Sequence, residues 1–137
     1  MIVADTGAIV ALIDADDKHH EVLRELFEED PGAWVLPWAV LPEVDYLVAN
    51  HVGHKAEEAF LADLASSSFI VEWGSIGDLE RARQICQRHR SLRLGLVDGV
   101  VIAVAERLRA DAIATLDLRH FGAVPIRGQP KLLPRDL

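Results

Sequence analysis

The sequence holds one cysteine, one tyrosine and only three lysines, and it has no long apolar run. A lone thiol, Cys86, cannot close an internal disulfide. A disulfide-stapled secreted scaffold is therefore excluded, and a reducing cytoplasm is the expected compartment. No apolar stretch reaches the ~18 residues that a membrane-spanning helix needs, so no membrane partner is expected. The opening Met1-Ile2-Val3-Ala4-Asp5 has no basic residue ahead of its apolar stretch and meets an acid at once, unlike a secretory signal. Positive charge is also scarce: 14 Lys and Arg stand against 22 Asp and Glu, for a net charge of -8. Proteins that hold nucleic acid by bulk electrostatics are usually basic. A nucleic-acid function here must rest on local positive charge, either an ion held by clustered carboxylates or individual arginines.

What is present is apolar and alternating. The 137 residues are 50% hydrophobic, which suits one domain with its own core and excludes a disordered chain. Ile2 to Ala4 reads as a buried strand, followed by a helix through Ala8 to Ile13 that Thr6 could cap. A helix over His20 to Glu29 stops at Asp30-Pro31-Gly32, and a second strand covers Ala33 to Leu36. Pro42 opens a third helix, and a fourth covers Lys55 to Leu64. A strand over Phe69 to Trp73 and a helix over Asp78 to His89 come next. An apolar helix spans Val97 to Leu108, then a strand Ala112 to Thr115. Val124 to Ile126 is read as a fifth strand, and Gly128 to Leu137 as loop. Short buried strands alternating with helices predict a single-domain α/β/α sandwich over residues 1–137, around a mostly parallel sheet of four or five strands.

In such a sheet, functional groups gather beyond the carboxyl ends of the strands. Asp5 directly follows the first strand, and Asp117 follows the fourth by two residues. Glu43 and Asp98 lie in the first turns of helices that start near the same rim. Each acid alone has an ordinary explanation: a cap for Asp5, the helix dipole for Glu43 and Asp98, a turn for Asp117. Together they aim four carboxylates from four distant segments at one edge. Close carboxylates repel, and some would take up protons. Mg²⁺ or Mn²⁺ removes that conflict, because these hard cations favour oxygen ligands. Such an ion also acidifies water and neutralises phosphate oxygens, which is what phosphodiester hydrolysis requires.

The same segments carry a family resemblance. Val3-Ala4-Asp5-Thr6-Gly7-Ala8 resembles the opening of PIN-domain proteins. Leu41-Pro42-Glu43-Val44-Asp45-Tyr46-Leu47 and Leu96-Val97-Asp98-Gly99-Val100-Val101-Ile102-Ala103 are similar to their second and third motifs. Ala114-Thr115-Leu116-Asp117-Leu118-Arg119-His120-Phe121 resembles the last. Each motif is loose, but four in order over nearly the whole chain are specific. Size and the absence of further domains resemble the VapC toxins of bacterial and archaeal toxin–antitoxin pairs. The resemblance implies a Mg²⁺- or Mn²⁺-dependent endoribonuclease that blocks translation by cutting structured RNA such as tRNA or rRNA. It implies a homodimer and a VapB-type antitoxin that lays a segment across the active-site groove. It makes Asp5, Asp98 and Asp117 the metal ligands and Glu43 the residue that orients or deprotonates the attacking water. Thr6 and Thr115 would fix the carboxylates through their hydroxyls. Two departures stand out: Gly99 replaces a more usual alanine and would loosen that helix start, and Asp45 is an extra acid read as facing solvent.

Outside these motifs, Arg119 and His120 are candidates for RNA phosphate, with a salt bridge to a site acid as the competing role. Arg81, Arg83, Arg88, Arg90 and Arg93 form the one basic concentration. It could track an RNA backbone, serve solubility or meet an acidic antitoxin. Trp34, Trp38, Tyr46 and Trp73 are read as core or groove packing rather than base-stacking platforms. Three other functions compete. A phosphoacceptor receiver lacks its lysine, since Lys18, Lys55 and Lys131 are all misplaced for one. An Asp-x-Asp phosphatase fails because Gly7 occupies the second acid's position. A non-catalytic interaction module with the same fold is opposed by four intact acids.

Overall fold

In the computed structural model, which describes residues 1–137, the chain opens with β1 (Ile2–Ala4), α1 (Thr6–Ile13) and α2 (His20–Glu29). β2 (Trp34–Pro37), α3 (Leu41–His51), α4 (His54–Ala65), β3 (Ile70–Glu72) and α5 (Ile76–Arg88) follow. The chain closes with α6 (Leu96–Arg107), β4 (Ala112–Ala114), α7 (Leu118–Phe121) and β5 (Lys131–Leu133). Every strand pairing is parallel, in the order β3-β2-β1-β4-β5. The strands are short, and each but the last hands over within a few residues to a helix; β2 and β4 are buried throughout, whereas the edge strand β3 is not. No helix is long and apolar enough to cross a membrane.

This strand order fixes where a site can form. The chain steps outward from β1 to β2 to β3, then returns to the other side of β1 for β4 and β5. The direction reverses between β1 and β4, and the helices leaving those strands diverge to leave a crevice at their carboxyl ends. The register Ala4↔Ala114 places Asp5 and Thr115 side by side, one residue beyond the ladder. The Asp5 backbone N–H extends the ladder by one bond, to the Ala114 carbonyl at 2.9 Å.

α6 is the central pillar, with Gly99 through Ala105 all buried. Its small residues let α5 approach closely. A Cβ on Gly99 would lie 3.0 Å from Ala82 Cβ and 3.1 Å from the Ala82 carbonyl oxygen. Gly99 is thus a close-contact residue that locks α6 to α5, which corrects the expectation of a loosened helix start. At the far end of α6, Arg107 donates Nε to Asp78 Oδ1 at 2.8 Å and its terminal nitrogen to Glu72 Oε1 at 2.8 Å. Burial would raise Asp78, but this guanidinium and the backbone N–H of Ser75 hold it below the ordinary carboxylate range.

Two further expectations change. The fifth strand is Lys131–Leu133, inside the segment read as loop, whereas Val124 and Ile126 are buried core residues outside any strand. Pro130 and Pro134 flank the real strand. β5 can tolerate them because an edge strand pairs on one side only. Asp45 does not face solvent. It is half-buried, one of its carboxylate oxygens is buried without a hydrogen-bond partner, and its closeness to Glu57 of α4 raises the Glu57 carboxyl above the ordinary range.

Candidate metal centre

Asp5 occupies the N-cap position of α1, so the helix begins at Thr6, one residue after the acid. The Asp5 side chain makes no cap bond to the later turn. Its carboxylate instead accepts the Thr115 hydroxyl at 3.0 Å. Thr115 Oγ1 in turn accepts the Asp117 backbone N–H at 3.0 Å. One buried hydroxyl therefore ties the Asp5 carboxylate to the turn that carries Asp117. The Thr6 hydroxyl is buried without a hydrogen-bond partner, so it does not fix the Asp5 carboxylate as the sequence suggested.

Asp98 is the third residue of α6. Its Oδ2 accepts the Gly95 backbone N–H at 3.2 Å, reaching back over the open first turn. Asp117 caps α7: Oδ1 accepts the His120 backbone N–H at 3.1 Å, and Oδ2 lies 2.8 Å from His120 Nδ1. The same ring nitrogen is 3.7 Å from Asp98 Oδ2. Donor atoms of Asp98, Asp117 and His120 all lie within 4.8 Å of one another.

The electrostatics are those of crowded carboxylates. Burial pushes Asp5 up to about 6, against the nearby Thr6 N–H and the Thr115 hydroxyl, which favour its anion, and the charges of Asp98 and Asp117 push it further. Asp98 is raised as well, first by burial; the Gly95 N–H and His120 oppose this, and Asp117 and Glu43 reinforce it. Glu43, in the first turn of α3, is thereby within electrostatic reach of Asp98 although exposed to solvent. The four acids singled out in the sequence share one neighbourhood. Asp98 and Asp117 form the tight pair, while Asp5 lies deeper and outside the close trio. This donor set fits a hard divalent cation: several oxygens converge, and their mutual repulsion disfavours their own ionised forms.

A family model for the PIN domain matches residues 2–126. The chain belongs to the PIN-domain family. It is 35% identical over 128 residues to ribonuclease VapC26 of Mycobacterium tuberculosis, covering 93% of this chain and 95% of that protein. Among solved structures it is similar to Mycobacterium tuberculosis VapC20, a sarcin–ricin loop cleaving toxin. The TM-score there is 0.81 at 26% identity, over 93% of this chain and 98% of that one. A toxin–antitoxin complex from Klebsiella pneumoniae shares the fold, with a TM-score of 0.68 at 19% identity over 91% and 93% of the two chains. The α/β sandwich of this PIN protein agrees with the expected architecture, and its sheet is parallel throughout.

His120 is the site residue whose place the sequence left open. It sits against Asp117 and Asp98, the salt-bridge alternative, rather than standing free for phosphate. Its spacing of three residues from Asp117 on a short helical turn was the available signal. Arg119 is exposed next to it. Within the basic concentration, Arg81 is engaged by Glu106 at 2.7 Å and Arg83 by Glu80 at 2.7 Å. Trp34 is core, whereas Trp73 and Tyr46 are 75% and 66% exposed.

Proposed function

We propose that this PIN-domain chain is a divalent-metal-dependent endoribonuclease toxin that cuts structured RNA, such as tRNA or rRNA, and so inhibits translation. The carrying observation is that Asp5, from a segment about a hundred residues away in sequence, lies within electrostatic reach of the close pair Asp98 and Asp117 at the β1–β4 crevice. Similarity to VapC26 and VapC20 supports the substrate class.

Asp5, Asp98 and Asp117 would hold the ion, Mg²⁺ or Mn²⁺. When bound, it supplies positive charge that offsets these acids and the phosphate. Glu43 orients water at the open side of the crevice and accepts its proton as the oxygen attacks phosphorus in line with the departing ribose oxygen. Thr115 keeps the Asp5 carboxylate aimed by donating to Oδ2. Arg119, exposed beside Asp117, steadies a flanking phosphate. The active unit is the whole 1–137 chain as one nuclease domain, working in the cytoplasm as a homodimer. A VapB-type antitoxin restrains it by occupying the groove.

The test is RNA cleavage by the purified chain with Mg²⁺ or Mn²⁺, with EDTA, and by the Asp5→Ala and Asp98→Ala variants. Cleavage by wild type alone, abolished by EDTA, is expected. Equal cleavage by wild type and both variants would assign the activity to a contaminant or another site. Sequencing RNA ends after induced expression then names the target.

A further inference from the structure

We propose that His120 supplies a nitrogen ligand to the divalent ion shared with Asp98 and Asp117, and that this gives the site a preference for first-row transition ions over Mg²⁺. The assignment rests on the metal-dependent reading above and adds to the acidic ligand set a residue of different chemistry.

The geometry is prepared for this role. Nδ1 of His120 faces both carboxylates, 2.8 Å from Asp117 Oδ2 and 3.7 Å from Asp98 Oδ2. Its ligand atom therefore borders the space that any shared cation would enter, and the ion would take the place of the Nδ1 proton now shared with Asp117 Oδ2, which leaves to solvent. The ring is held by its Nδ1 contact to Asp117, and the backbone that carries it is fixed. The His120 backbone N–H is held by Asp117 Oδ1 at 3.1 Å, and the next residue, Phe121, is anchored in the core at 2% exposure. Asp117 and His120 thus form one turn that presents an oxygen and a nitrogen side by side, while Asp98 arrives from the start of α6. The ordering of these groups precedes ion binding, so little side-chain freedom remains to be lost. A nitrogen donor changes selectivity. Mg²⁺ demands oxygen ligands and retains water, whereas imidazole is a good ligand for transition ions. Three carboxylates alone would discriminate weakly; a carboxylate pair with an imidazole discriminates in favour of the transition ion.

The experiment measures binding rather than cleavage. Titration calorimetry with MgCl₂ and with MnCl₂ is run on wild type, His120→Ala, His120→Asn and Asp98→Asn. Pulsed electron paramagnetic resonance then reads nitrogen coupling on bound Mn²⁺. Wild type should bind Mn²⁺ more tightly than Mg²⁺ and show imidazole nitrogen coupling. Both His120 variants should lose the coupling and about tenfold or more in Mn²⁺ affinity, with Mg²⁺ affinity changed by about twofold or less. His120→Asn keeps a polar side chain of similar reach, and circular dichroism identifies a variant that fails to fold. Bound Mn²⁺ without nitrogen coupling in wild type overturns the proposal. So does an equal loss of both ions in the His120 variants. If Asp98→Asn abolishes binding while the His120 variants bind Mn²⁺ normally, the metal centre stands and only the imidazole assignment falls. If wild type binds neither ion, the metal-dependent reading itself falls.

Discussion

Asp5 is a buried acid that the fold holds in an unfavourable state, and the cost can be measured without any substrate. Its pKa is raised from 3.8 to about 6. Between those values the unfolded chain has released its proton while the folded chain retains it, so stability falls as pH rises through this window. The contribution is fully present below 3.8 and is lost above 6. A shift of about 2.2 units at 1.36 kcal/mol each amounts to roughly 3 kcal/mol at pH 7.5. Asp5→Asn removes the charge but keeps an oxygen that can accept the Thr115 hydroxyl. In EDTA at pH 7.5 this variant should therefore be about 2 to 3 kcal/mol more stable than wild type. Urea unfolding should show this as a midpoint about 1 M higher. At pH 4 the gap should shrink to roughly 0.5 kcal/mol, because Asp5 is then largely neutral in the folded state. Divalent ion should narrow the gap at pH 7.5 by stabilising wild type alone. A variant no more stable than wild type at pH 7.5, or a gap that does not change with pH, would refute the account of Asp5 as a strained site acid.

Two other substitutions test the parts that support the site. Thr115→Val removes the hydroxyl between Asp117 and Asp5; RNA cleavage should fall about tenfold or more with the fold retained by circular dichroism, and undiminished activity would remove Thr115 from the positioning role. Gly99→Ala gains helix propensity but puts a methyl 3.1 Å from a backbone oxygen that cannot turn away; it should lose about 1 to 3 kcal/mol in urea unfolding, and a more stable variant would contradict the close-contact reading.

The elements that position the site were readable because their signals are local and strong. β1 and β4 are short apolar runs bounded by polar turns, and α6 is an apolar helix with an acid in its first turn. The placing of Asp5 and Asp117 at one rim follows from strand order, which the alternation of elements constrains. What escaped depends on neighbours remote in sequence. The prolines beside Lys131–Leu133 mask β5, since nothing local says that this strand lies at an edge. Gly99 looks like a weak helix residue until Ala82 is seen against it. Asp45 looks like a surface acid until α4 folds back and brings Glu57 to it. His120 admitted two roles because the sequence gives its spacing from Asp117 but not the position of Asp98.

α6 is enclosed nearly all round, with Gly99 to Ala105 buried and Arg107 tying its far end to Asp78. A rod gripped over these seven residues fixes the backbone immediately behind Asp98, so the carboxylate is carried on a support that does not have to form when a ligand arrives. Any ligand that fits the open rim therefore meets a backbone already in its working shape.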